Sequence, residues 1–134
     1  MHCLLNKNKT PSLELVKFLI DKKANVNSDL LDGYTPLHCA CRYNLSLDLI
    51  ETLVENKAAV NSQRKGIPLS YAVSNNNINL EILNFLIEKK SDIYDSRGKD
   101  ACLNLASKNN TLLELFSNEP EKIKMHMINL FKNN

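Results

Sequence analysis

What the chain lacks narrows it before any motif is read. No apolar run among its 134 residues approaches the roughly 20 that a membrane-spanning helix needs, and the N-terminus has no continuous apolar segment of the secretory kind. Neither sign of charge dominates: 17 basic against 15 acidic residues leave +2, so neither nucleic acid nor an anionic membrane is called for as a partner. Glycine occurs only three times, and no phosphate-cradling loop or nucleophile elbow is present. Ser70 and Ser74 lack a paired base with supporting context, so no enzymatic activity is expected. A metal site from His38, Cys39 and Cys41 is disfavoured, because neighbouring helical residues diverge and cannot converge on one ion. No cofactor is expected either.

What the chain has is a repeat. Leu13-Glu14-Leu15-Val16-Lys17-Phe18-Leu19-Ile20-Asp21 is echoed by a stretch that starts at Leu47 and again by one that starts at Leu80, 34 and then 33 residues on. Self-similarity at that period means stacked supersecondary units. In the central copy Leu47, Leu49, Ile50, Leu53 and Val54 form a helical stripe rather than an alternating one. Ser12, Ser46 and Asn79 precede the copies as candidate N-caps, and Glu14, Asp48 and Glu81 follow where the helix dipole favours an acid. Upstream of the central copy stands Gly33-Tyr34-Thr35-Pro36-Leu37-His38-Cys39-Ala40. Thr35 caps a short first helix there, with Pro36 at its first position and its end near Tyr43.

These residues resemble an ankyrin repeat: Gly33, then Thr35-Pro36-Leu37-His38, then Ala40, the long apolar helix, and Ala58-x-Val60-Asn61. The resemblance implies an all-α solenoid of helix–turn–helix repeats joined by hairpin-like loops, and extends to about residue 116. A single repeat domain would then divide into a truncated first repeat (1–27), a second (28–61), a third (62–94) and a degenerate fourth (95–118). A capping helix (119–134) would close the C-terminal end, because Pro120 cannot continue the interior of the preceding helix. The resemblance also implies that His38 hydrogen-bonds backbone around the loops. Cys3, Cys39, Cys41 and Cys102 are expected as small buried thiols, which places the protein in the reducing cytoplasm.

Ankyrin domains bind proteins, so the implied function is protein–protein interaction through the concave surface of loops and first helices. Carried onto this chain, that surface consists of Leu31, Asp32, Tyr34, Arg42 and Tyr43 in the second repeat. The third adds Arg64, Lys65, Ser74 and Asn75, and the fourth Arg97, Lys99 and Lys108. Its basic excess points to an acidic or mixed-charge protein partner. The alternative is a structural segment of a longer ankyrin array with no partner surface of its own. Three further expectations concern structure. Leu4, Leu15 and Leu19 should be poorly covered, which invites self-association through the N-terminal end. Phe18 and Phe85, at one helical position in their repeats, should pack in the core. Lys23, Lys57 and Lys90, where the ankyrin pattern has glycine, should occupy left-handed backbone.

Overall fold

A computed structural model describes residues 10–29, 32–62 and 66–91. Five helices lie within them: α1 (Leu13–Asp21), α2 (Pro36–Arg42), α3 (Leu47–Glu55), α4 (Pro68–Val73) and α5 (Leu80–Glu88). The long helices α1, α3 and α5 stack in that order, and the short helices α2 and α4 pack on each other. Within a repeat, α2 lies on α3 and α4 on α5. The result is two helical layers with the core between them. The fourth repeat and the capping helix lie outside the described residues. Among those residues no helix is long and apolar enough to cross a membrane.

The apolar stripe explains the layering. Leu49, Ile50 and Leu53 of α3 are fully buried, as are Leu83 and Leu86 of α5 and Leu37 and Leu69 of the short helices. Each such side chain contributes roughly 1.5–3 kcal/mol relative to exposure. In α1 only Val16 is buried. Leu15, in register with the fully buried Leu49, is 41% exposed, and Phe18 is 55% exposed. Leu19 is half-buried, whereas its counterparts Leu53 and Leu86 are fully buried. The low coverage expected of Leu15 and Leu19 is therefore present; Leu4 lies outside the described residues. Phe18 corrects the expectation of core packing. Among the described helices α1 packs chiefly on α3. Phe85 is half-buried against the core.

The helix ends follow one device. Lys23, Lys57 and Lys90 have φ of 64°, 70° and 61°, in the left-handed region expected of them. After α3, Lys57 N–H donates to Val54 O at 3.0 Å and Ala58 N–H to Leu53 O at 2.9 Å, the paired bonds of a Schellman end. The same pair closes α1 through Lys23 and Ala24, α5 through Lys90 and Ser91, and α2 through Asn44 and Leu45. Asn44 also has positive φ, at 52°. The left-handed residues then serve the stacking of repeats. Asn27 donates through Nδ2 to Lys57 O and accepts through Oδ1 from Ala59 N–H, both at 2.8 Å. Asn61 Nδ2 donates to Lys90 O at 3.0 Å one repeat later.

The N-termini are less uniform. Asn79 caps α5, accepting from Glu81 N–H at 3.0 Å and Ile82 N–H at 3.4 Å. Ser12 and Ser46 occupy the N-cap positions of α1 and α3 without a side-chain cap bond, contrary to expectation. Both serines are exposed, and Ser12 Oγ instead donates to Glu14 Oε2 at 3.4 Å.

Candidate interaction surface

The surface is built on a buried histidine. Thr35 holds extended backbone before α2, and Pro36 opens the helix where its missing N–H costs nothing. His38, one turn in, is fully buried. Thr35 N–H donates to His38 Nδ1 at 3.1 Å, so that nitrogen carries no hydrogen. Nε2–H then donates to Gly66 O at 2.9 Å, in the loop of the next repeat. The Thr35 hydroxyl lies 2.9 Å from the same Nδ1. Gly66 has φ +92°, a conformation that side chains resist, and a Cβ there would stand 3.4 Å from Ser70 Oγ. The histidine's role around the loops, implied by the resemblance, is thus visible in these bonds.

Two tyrosine rings stand on this base. Tyr34, in the loop, meets His38 edge-on at 6.1 Å between centres. Tyr71 of α4 lies 5.6 Å from Tyr34 and 5.8 Å from His38, again edge to face. Such pairs contribute beyond their buried area. Tyr71 O–H donates to the Tyr34 hydroxyl at 3.3 Å. Burial, and then the Tyr34 hydrogen bond, push the Tyr71 phenol up to about 12, so it stays protonated. Arg42, in the last turn of α2, lays its guanidinium 5.5 Å from the centre of the Tyr34 ring and 5.9 Å from that of Tyr43. The two rings hold an exposed cation in place.

Beside Arg42 runs a groove of about 390 Å³ lined by Arg42, Tyr43, Asn44, Asn75, Asn76 and Asn77. It lies in the turns after α2 and α4. The second of these turns is longer, six residues (74–79) against four (43–46), because α4 ends a residue earlier and the spacing to the long helix is greater. Asn75 Nδ2 bonds back to Cys41 O at 2.8 Å, and Asn44 Nδ2 reaches Asn77 O at 3.1 Å. The two turns are thereby tied across repeats.

The structure therefore brings Tyr34, Arg42, Tyr43 and Asn75 together. Asp32 is exposed in the loop before them. Ser74 is exposed too, but its hydroxyl turns back to Ser70 O at 2.7 Å. Leu31, Arg64, Lys65, Arg97, Lys99 and Lys108 lie outside the described residues. Sequence reasoning missed Tyr71, which stands in the register of Cys39, and missed the asparagines Asn44, Asn76 and Asn77. The residue after Ser70, the counterpart of His38, was the available signal for Tyr71. Cys39 and Cys41 are buried thiols; burial pushes both above their ordinary range, only partly offset at Cys39 by the Arg42 charge. Among the described residues no group of three His, Cys, Asp or Glu side chains is placed to hold a metal.

Comparison with known proteins bears on this geometry. A family model described as ankyrin repeats, in three copies, matches residues 1–97. A putative ankyrin repeat protein of fowlpox virus (strain NVSL), FPV031, is 43% identical over 68 residues, covering 46% of this chain. The match spans only 20% of that relative's length.

Proposed function

Because the chain belongs to the ankyrin-repeat family, whose repeats generally serve as protein-interaction modules, we propose that it binds a protein partner through its loops and first helices. The observation that carries this reading is the Tyr34–Tyr71–Arg42–Tyr43 cluster, braced from below by His38 and Gly66. Tyrosine and arginine dominate interface hot spots because they bury much area while presenting polar tips. Held in advance by ring contacts, these side chains lose little freedom on binding. The surface is proposed to extend to Asp32, Ser74 and Asn75, and to Leu31, Arg64, Lys65, Arg97, Lys99 and Lys108. Its basic character favours an acidic or mixed-charge partner. The proposed setting is a reducing, cytoplasmic one, in keeping with the buried thiols Cys39 and Cys41.

A second reading, a segment that stacks within a larger ankyrin array, is favoured by one observation. Leu15 and Phe18 present apolar surface on α1, whereas Leu49 and Ile82, in the register of Leu15, are buried in the inner repeats. The same patch supports self-association through this end. The two readings separate by mutation. With a partner retrieved on the immobilised chain, Tyr34→Ala, Tyr43→Ala and Tyr71→Ala should each weaken binding, the strongest by about 2 kcal/mol, without loss of fold. Greater losses from Lys17→Ala or Glu51→Ala, on the long helices, would move the interface to the other side.

A further inference from the structure

The groove beside Arg42 has a defined chemistry. Its lining supplies one cation, one phenol ring and four side-chain amides, and no carboxylate. Among the described residues two tyrosine rings, and no acid, lie against the guanidinium. The N–H edge of a guanidinium is the fork that pairs with a carboxylate in two parallel hydrogen bonds. Asn44 and Asn75 are locked by bonds to Asn77 O and Cys41 O, so the walls are rigid. Asn76 and Asn77 are exposed, and their side-chain amides make no hydrogen bond among the described residues. Amides of this kind suit the N–H and C=O groups of an extended backbone.

We propose that this groove receives an acidic peptide segment of the partner, with one Asp or Glu carboxylate clasped by Arg42 and the flanking backbone met by Asn76 and Asn77. The proposal rests on the interaction reading above and names the chemistry of its partner. A carboxylate is favoured over a phosphate because a single guanidinium balances one negative charge, whereas a phosphate, at close to −2, calls for further cations. The lining holds only Arg42.

The test is selection from a random peptide library against the immobilised full-length chain, in parallel with Arg42→Gln and Arg42→Lys. Arg42 is exposed, so the variants should fold, and an unchanged thermal midpoint verifies it. The expected result is an Asp or Glu at one fixed position of the selected peptides, absent from selections on Arg42→Gln. Replacing that acid by its amide should weaken binding about tenfold. Arg42→Lys should recover only part of the loss, since a lysine cannot present the fork. Selected peptides with no common acid, or an acid preference that survives Arg42→Gln, would overturn the proposal while leaving the interaction reading in place. Tighter binding when phosphoserine replaces the acid would overturn it in favour of a phosphate site. A library that yields no binder to the wild-type chain would count against both readings.

Discussion

Lys57→Gly should stabilise this protein, although it deletes a long side chain and adds backbone freedom. Lys57 has φ 70° at the left-handed position that closes α3. A Cβ in that conformation crowds the following carbonyl at a cost of about 1–2 kcal/mol. Glycine removes the crowding but widens the unfolded ensemble, which returns about 0.4–1 kcal/mol. The difference is a net gain of roughly 0.5–1 kcal/mol, or about 2–4 °C in Tm for a chain of this size. The backbone bonds survive the change. Lys57 O still accepts from Asn27 Nδ2, and Lys57 N–H still donates to Val54 O. Thermal and urea unfolding of wild type, Lys57→Gly and Lys57→Ala would separate the causes. Alanine keeps the Cβ, so it should show none of the gain. Equal shifts for glycine and alanine would place the effect in the lysine side chain and refute the backbone argument. A lowered midpoint for glycine would mean that the entropic term outweighs the strain.

Three other outcomes follow from particular side chains. Ser91, in the position of Ala24 and Ala58, buries an Oγ with no hydrogen-bond partner among the described residues, so Ser91→Ala should raise stability by about 1 kcal/mol in urea unfolding. Leu49→Ala should cost about 2–5 kcal/mol, whereas Leu15→Ala, at the equivalent but 41% exposed position, should cost less than about 1 kcal/mol by the same measurement. In a spectrophotometric titration one tyrosine should ionise near pH 12, well after the usual range, and Tyr71→Phe should remove that step. Because the folded pKa lies above the unfolded one, this phenol's contribution is present below about pH 10 and is lost as pH rises through 12.

The helices were legible because their apolar stripe repeats in all three copies, and the left-handed lysines because they stand where the ankyrin pattern has glycine. Position in a repeat, however, does not say what lies on the other side of it. Phe18 and Phe85 share one register, yet Phe18 is 55% exposed while Phe85 is half-buried against the core. Nor does residue type decide a cap. Serine suits the N-cap at positions 12 and 46, but neither turns its side chain onto the first-turn amides, whereas Asn79 does. The tyrosine–arginine cluster was half legible. Loop and helix-end positions placed Tyr34, Arg42 and Tyr43, whereas Tyr71 joins them through the packing of α4 on α2, a contact between residues 37 apart.

The claim that the loop and first-helix side is the binding face is tested most directly by hydrogen exchange with and without a bound partner. Binding should slow exchange across residues 32–43 and 71–77, and leave the long helices α1, α3 and α5 unchanged. Protection concentrated on those long helices, with 32–43 and 71–77 exchanging as in the free chain, would contradict it.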